Sequence, residues 1–362
     1  MKSRIDTLDG LRGIAILLVL AGHTVANLQP LGWLETPWIR ALANPGGGVR
    51  LFFVLSGYLI THLLLQEQAA TGSIGLLQFY RRRALRIWPA FYAYLLTLVL
   101  LALWFPTGLN VGTFTAAATF TWNYASFWAV PPPEGTWNLG HLWTLALEQQ
   151  FYLLWPLALI VFPRRALWIA VALVIWCPLA RVGTYYLFPA QRGLLAMMFH
   201  TGIDSLMAGC AAALLLQSAA WRERLLRCGR LAGSAALWLL VLSPLAALHV
   251  RGFGVSAGFT LDAAAAALLI AWMHRAPPAW AQALLGRGPL RMLGLISYSL
   301  YLWQQLFLSP DGWLAQGRLL APLLAALAAA VLSYRLVEKP LLGLKDRRHR
   351  SPPLPGLPAK TA

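Results

Sequence analysis

Arg12 and His23 lie at the start and near the end of the first long apolar run of the sequence. In an α-helix, which rises about 1.5 Å per residue, these side chains are roughly 16 Å apart along the axis. The arginine can then remain at the lipid headgroups while the imidazole lies within the hydrocarbon. Because an ionisable group in a bilayer is costly, and because imidazole moves protons near neutral pH, this spacing predicts that His23 is a general base.

A carboxylate occurs in a later apolar segment, where Glu148 follows His141 by seven residues and shares its helix face. By helix rise, Glu148 lies about 10 Å and His23 roughly 7–8 Å from the outer ends of their helices, so we expect them at similar depth. A carboxylate beside an imidazole would fix its tautomer and balance its charge. We therefore predict that Glu148 orients His23. The alternative for each residue is a structural hydrogen bond or ion pair between helices.

A cluster of arginines, Arg81–Arg83 and Arg86, precedes the third apolar run. Such a cluster can bind phosphates, but the same charges can also fix helix orientation and contact anionic lipids. Arg83 and Arg86 lie three residues apart, on one helix face and nearest the membrane. They are therefore the better candidates for a phosphate site.

The glycine-rich stretch 46–58 contains Arg50 and Ser56, which we expect to support substrate binding. It lacks the Lys-Ser/Thr of a phosphate-binding loop, and Ser56 lacks the flanking pattern of a nucleophile elbow. The three cysteines have no metal-ligand spacing, so we predict no metal site. Other ionisable residues within apolar segments are expected to connect helices, namely Asp204, Asp262, His62 and His200.

The composition indicates an all-α, polytopic integral-membrane helical bundle. Of the 362 residues, 59% are hydrophobic and only 11% are charged, which is too little charge to cover a soluble protein of this length. No cleavage-site pattern follows the first apolar run, so we expect it to be retained as a membrane helix. Recurring apolar stretches predict about ten transmembrane helices, near residues 13–28, 49–66, 86–105, 142–162, 166–187, 195–216, 231–249, 256–273, 290–308 and 319–338.

Basic residues are concentrated in alternate short loops, whereas the long 106–141 loop contains no Lys or Arg. By the positive-inside rule, both termini are cytoplasmic. The net charge of +17 is therefore explained by basic residues that set membrane topology, and it does not indicate nucleic acid binding. We expect residues 1–345 to form the membrane domain and residues 346–362 to form a basic, then proline-rich, disordered cytoplasmic tail.

Several motifs, taken together, resemble the acyltransferase-three family of bacterial membrane proteins over about residues 6 to 342. They occur in the order expected for that family and are Arg-x10-His at 12–23, Gly-Val-Arg-Leu-Phe-Phe-Val-Leu-Ser-Gly-Tyr at 48–58, Arg-x-x-Arg at 83–86, His-Leu-Trp-Thr-Leu-x-x-Glu at 141–148, Ile-Ser-Tyr-Ser-Leu-Tyr-Leu-Trp at 296–303 and Arg-Leu-Val-Glu-Lys-Pro at 335–340.

This resemblance implies an enzyme of the bacterial cytoplasmic (inner) membrane that moves an acyl group, often acetyl, from cytoplasmic acyl-CoA to a hydroxyl of a glycan or another sugar-containing acceptor. We expect no tightly bound cofactor, and we expect the membrane domain to act without the esterase-like domain that some members carry. The functional positions that the resemblance implies are Arg12, His23, Arg83, Arg86 and Glu148, with the three arginines binding the donor. His141 and Trp143, in the same motif as Glu148, are expected to support substrate binding.

Two positions depart from the family pattern. Gln304 replaces a frequent histidine, which weakens any role for this position in proton transfer, and Gln149 replaces a second glutamate, which leaves the carboxylate role to Glu148.

Two other interpretations of the sequence stay open, a transporter or lipid-linked sugar flippase and an idle scaffold. Buried charges and many helices suit a transporter as well, whereas the lack of an internal repeat favours the enzyme. O-antigen, exopolysaccharide, a lipo-oligosaccharide and a macrolide all fit as acceptors. An acyl-histidine intermediate, the acyl chain length and the oligomeric state also stay open.

Overall fold

The computed structural model describes residues 5–28, 36, 39, 43–105, 107–128, 136–227, 229–309 and 319–347. Within these ranges the chain is helical and forms no β-strand, which confirms the all-α prediction. Ten principal helices carry the architecture, and three of them contain a π-helical turn. They are α1 (Asp6–Asn27), α2 (Pro45–Thr71), α3 (Leu76–Ala102), α4 (Leu142–Val161), α5 (Ala166–Leu187), α6 (Asp204–Leu215), α7 (Leu231–His249), α8 (Gly254–Arg275), α9 (Gly288–Leu308) and α10 (Leu320–Gly343).

Eight of these helices are long and apolar enough to cross a membrane, all except α6 and α9. Helix α9 has 21 residues, which is long enough to span, but it is not among the eight. The predicted continuous span at 195–216 is wrong, because α6 has only 12 residues and short helices at Pro189–Leu194 and Phe199–Gly202 precede it. A helix of that length covers about 18 Å, well short of the bilayer core.

Helices α1 and α9 pack in backbone contact because glycines face the neighbouring helix. A Cβ atom at Gly13 would lie 2.0 Å from the carbonyl oxygen of Leu290, and one at Gly294 would lie 1.8 Å from that of Asp9. Gly294 faces Gly13 near one end of the pair, and Gln304 faces His23 near the other. The two helices therefore run parallel.

Helix α2 lies at the centre of the bundle and runs parallel to α4. Ser56 hydrogen-bonds Glu148, and further along both helices in the same direction the indole N–H of Trp155 donates to Thr61 over 2.8 Å. Helix α3 lies beside α9, where the hydroxyl of Tyr298 donates to the carbonyl oxygen of Ile87 over 2.7 Å. These directions agree with the alternation that the loop charges predict.

The predicted cytoplasmic tail largely lies outside the described residues, which end at 347. The assignment of residues 1–345 as the membrane domain and the cytoplasmic location of both termini stay predictions.

Candidate active site

Helices α1–α4 and α9 line a half-open cavity, which together with its open mouth has an empty volume of about 660 Å³. One face is apolar, with Val49, Phe52 and Phe53 from α2. The polar side chains come from all five helices, and they are Arg12, Ser56, Arg83, Arg86, Thr144, Glu148, Tyr152, Ser297, Tyr298 and Tyr301. Of the nine predicted site residues, the fold thus brings Arg12, Ser56, Arg83, Arg86 and Glu148 to one cavity.

Three arginines give one end of the cavity a positive charge. The charges of Arg83 and Arg86, one turn apart on α3, both act on Arg12 from α1. Within the described part of the chain, neither Arg83 nor Arg86 forms an ion pair, and the buried Nε of Arg83 has no hydrogen-bond partner. The guanidinium of Arg83 lies over the rings of Phe79 and Tyr152, at 5.7 and 5.6 Å. Arg83 is therefore held in place by two rings while its Nε stays available, and Arg12 lies 4.0 Å from the carboxylate of Asp9.

Glu148 faces this charge from α4, one turn before Tyr152. Its carboxylate accepts a short hydrogen bond from the hydroxyl of Ser56 and lies within electrostatic range of Arg83. Three arginines against one carboxylate leave the lining of the cavity with an excess of positive charge.

Tyr301 forms the opposite end of the cavity. Its hydroxyl donates to the carbonyl oxygen of His141 over 3.0 Å and accepts from the hydroxyl of Thr144 over 2.7 Å. Since His141 directly precedes α4, this bond connects the outer ends of α4 and α9.

His23 lies beyond Tyr301 and does not line the cavity. Its Nδ1 is 2.7 Å from the Oε1 of Gln304, which lies one turn after Tyr301 on α9 and is fully buried. The predicted direct pairing of His23 with Glu148 is wrong, because Glu148 bonds Ser56 instead. His23 lies within electrostatic range of His141, and Glu148 follows His141 by seven residues, about 10 Å along the helix axis.

The remaining predicted residues, Arg50, His141 and Trp143, lie outside the cavity. Arg50 forms a 2.8 Å ion pair with Asp262, and the ring of Trp143 packs edge-on against Phe53 at 5.9 Å. The ring of His141 is buried between those of Tyr94 and Tyr301, at 5.5 and 5.6 Å. These contacts give all three a packing role.

A second cluster of buried charge, which we call the Arg181 network, connects α5, α6 and α8. Arg181 is fully buried and bonds Asp204 over 2.9 Å, while Thr260 donates to the same carboxylate over 2.6 Å. The Phe259 ring lies under both Arg181 and Arg50, at 5.6 and 4.6 Å. Asp204 thus connects helices as predicted, and so does Asp262, which bonds Arg50 and the indole of Trp238.

The other two predicted helix connectors make aromatic contacts. The ring of His62 lies 4.8 Å from that of His274, and the hydroxyl of Tyr124 is 3.2 Å from Nδ1 of His200. Both histidines therefore contact a neighbouring helical segment.

Sequence reasoning missed the three tyrosines of the cavity, Tyr152, Tyr298 and Tyr301. The available signal was their spacing, because Tyr298 and Tyr301 share a helix face and Tyr152 lies one turn from Glu148.

Residues 5–335 match the family described as an acyltransferase domain, Acyl_transf_3. The chain belongs to this acyltransferase family. It is 28% identical to the peptidoglycan O-acetyltransferase OatA of Listeria monocytogenes, covering 94% of this chain and 56% of the relative. It is also 28% identical to the putative peptidoglycan O-acetyltransferase YrhL of Bacillus subtilis, over 93% and 55%, and to the O-acetyltransferase OatA of Staphylococcus aureus, over 92% and 56%.

The chain thus spans a little over half the length of these curated relatives. No solved structure matches it. With eight helices able to span a bilayer, this member of the family is a polytopic membrane protein.

Proposed function

We propose that this protein is a membrane O-acyltransferase that moves an acetyl group from cytoplasmic acetyl-CoA to a hydroxyl of a glycan. The observation that carries the proposal is the cavity, in which Arg83 and Arg86 form no ion pair within the described residues and Arg12 is the third cation. Membership of an acyltransferase family and likeness to O-acetyltransferases support the reaction type.

The donor fits the arginine end of the cavity by charge. Coenzyme A carries several phosphates, and arginine binds phosphate through a planar, bidentate guanidinium. Buried cations without counterions are costly in a membrane, so an anionic substrate would offset this cost on binding. The apolar face formed by Val49, Phe52 and Phe53 then suits the alkyl part of the pantetheine arm.

The reaction requires a base for the acceptor hydroxyl, and we assign this role to His23. The imidazole takes the hydroxyl proton while the oxygen attacks the thioester carbonyl carbon. The resulting tetrahedral intermediate breaks its carbon–sulfur bond, which leaves an ester on the acceptor, and the thiolate of coenzyme A receives the proton from His23. Tyr301 lies between the cavity and His23. Its side chain must therefore move aside before the thioester can reach the imidazole of His23.

Glu148 acts on the donor side in this scheme. It holds Ser56 and offsets part of the charge of Arg83, which keeps the cationic end of the cavity ordered without neutralising it. Direct orientation of His23 by Glu148 forms no part of the mechanism, because the two do not bond.

The acceptor in this proposal is peptidoglycan or another surface polysaccharide. Two relatives carry peptidoglycan O-acetyltransferase in their names, and the predicted outward-facing loop 106–141 lies on the side from which such a glycan would approach. The protein would then reside in the bacterial cytoplasmic membrane.

The experiment uses the full chain in lipid nanodiscs with acetyl-CoA labelled in the acetyl group and a muropeptide or oligosaccharide acceptor. The wild type should transfer label to the acceptor, and His23→Ala should abolish transfer without lowering expression or membrane insertion. His249→Ala, at an exposed histidine that ends α7, should act like the wild type. Wild-type turnover by His23→Ala would refute the assigned base. A wild type that leaves acetyl-CoA intact would instead favour the transporter.

A further inference from the structure

We infer that Gln304 is a positioning residue that holds His23 in the tautomer carrying its proton on Nδ1, which leaves Nε2 free to act as the base. The inference rests on the proposed function, because it concerns the residue assigned there as the base. It uses a side chain that neither the family match nor the relatives assign to any role.

The hydrogen bond itself selects the tautomer. The Oε1 of Gln304 lies 2.7 Å from Nδ1 of His23, and an amide oxygen can only accept. Nδ1 must therefore carry a proton, and in a neutral imidazole the lone pair is then on Nε2. Within the described part of the chain, Gln304 is the one hydrogen-bond partner of His23, so no other side chain competes to set the tautomer.

The orientation of the amide has its own support. The Nε2 of Gln304 donates to the Oε1 of Gln305 in a longer contact of 3.5 Å, which is consistent with the amide oxygen facing His23. Rotating the amide by half a turn would place the amide oxygen of Gln304 against the Oε1 of Gln305. The observed orientation avoids that repulsion.

The backbone keeps this pair in register. Gln304 is fully buried, and α1 and α9 are in direct contact at Gly13 and Gly294, so the two helices cannot slide without a clash. A neutral amide also adds no second charge within the bilayer, whereas a carboxylate at this position would. The pair therefore fixes the imidazole while keeping it neutral and able to accept a proton.

The test compares two variants of nearly equal size. Gln304→Met removes the acceptor, so we expect kcat to fall by about 10- to 100-fold, within the range of 10²–10⁴ that general-base catalysis supplies. The KM for acetyl-CoA should not change, because Gln304 does not line the donor cavity. Because Gln304→Glu retains an acceptor oxygen but adds a charge, its kcat should lie between that of Gln304→Met and that of the wild type. Gln282→Met, at a glutamine that bonds the backbone of Pro277, is the matched control and should keep wild-type kinetics.

A spectroscopic measurement on the wild type covers the case in which Gln304→Met fails to fold. In protein labelled with ¹⁵N-histidine, the His23 signal, assigned by its loss in His23→Ala, should show a protonated Nδ1 and an unprotonated Nε2. The opposite tautomer would overturn the inference, as would a wild-type kcat in Gln304→Met or an equal loss of kcat in Gln304→Glu. An active His23→Ala would instead overturn the proposed function, so the two failures are distinguishable.

Discussion

Arginines are buried in two regions of this molecule, and their surroundings differ. In the Arg181 network the guanidinium bonds Asp204, Thr260 and two backbone carbonyls. In the cavity, Arg83 has a buried Nε without a partner, and Arg86 forms no ion pair with a described residue. The first region satisfies its charges within the protein, whereas in the second Arg12 has Asp9 at 4.0 Å but Arg83 and Arg86 form no ion pair with a described residue, which is why we propose that a ligand binds them.

This difference shows that a buried arginine alone does not identify a binding site in a membrane protein. Breaking a buried pair leaves an uncompensated charge and costs stability. A buried cation without a counterion already lowers the stability of the folded protein. Removing it should therefore weaken ligand binding far more than it changes the free energy of unfolding. The two regions therefore predict opposite responses to similar substitutions.

The largest effect is expected from Asp204→Ala, which leaves the fully buried Arg181 without its counterion. We expect a loss of about 3–5 kcal/mol in the free energy of unfolding. The measurement is reversible denaturation of the purified protein in detergent, combined with the KM for acetyl-CoA of the folded fraction. An unchanged midpoint, or a KM raised tenfold in that fraction, would contradict the structural role.

Arg83→Gln should give the second largest effect. We expect it to change the kinetics with acetyl-CoA and not the free energy of unfolding. Losing a charged hydrogen bond of about 1.5–3 kcal/mol lowers kcat/KM for acetyl-CoA by roughly 10- to 150-fold. The matched control is Arg82→Gln, since the adjacent Arg82 pairs with Glu67 at 2.7 Å and does not line the cavity. Equal kinetic losses in the two variants would show that a positive charge near the start of α3, and not a place in the cavity, decides donor binding.

A change in ionic strength should affect the cavity and the Arg181 network differently, but less than the two substitutions above. Raising salt from 0.1 to 1 M shortens the Debye length from about 10 to about 3 Å, so we expect the KM for acetyl-CoA to rise about threefold. The fully buried Arg181–Asp204 pair is shielded from these ions, so the unfolding midpoint should move little. A KM independent of salt would argue against an electrostatic donor site.

The smallest effect is expected from Glu223→Gln. Its partner Arg227 is 75% exposed, and a helical pair of this kind contributes about 0.3–0.5 kcal/mol. Neither the unfolding midpoint nor the acetyl-CoA kinetics should change measurably. A loss comparable with that of Asp204→Ala would mean that burial does not distinguish the two pairs.

The sequence predicts the residue types of the site better than their contacts. Hydropathy and loop charge identify most of the helices, and the residue types single out Arg83, Arg86 and Glu148, but the sequence places Glu148 beside His23, whereas the fold brings it to the cavity of the two arginines. Helix rise places residues along an axis, but it does not say which neighbour a side chain faces. His23 faces Gln304 because glycines on α1 pack against α9, and recognising that contact requires knowing the pairing of helices far apart in the chain.

The failed prediction of a span at 195–216 has a related cause. Hydropathy averages over a window, and the apolar residues around Asp204 outweigh it. In the structure that carboxylate accepts from the backbone N–H of Ser205 at the start of α6 and bonds Arg181 of α5. The first residue of α6 thus makes a long-range ion pair, and no local average of hydropathy contains that information.

The position of Tyr301 bears on how the proposed reaction would avoid hydrolysis of acetyl-CoA. Its hydroxyl bridges Thr144 and the carbonyl oxygen of His141, and its side chain lines the cavity one turn before Gln304, the partner of His23. In the proposed reaction this ring would keep a bound thioester apart from the imidazole of His23, which could otherwise activate water to hydrolyse it. If the ring of Tyr301 moved only when the acceptor bound, acetyl-CoA would be protected from hydrolysis in the absence of acceptor.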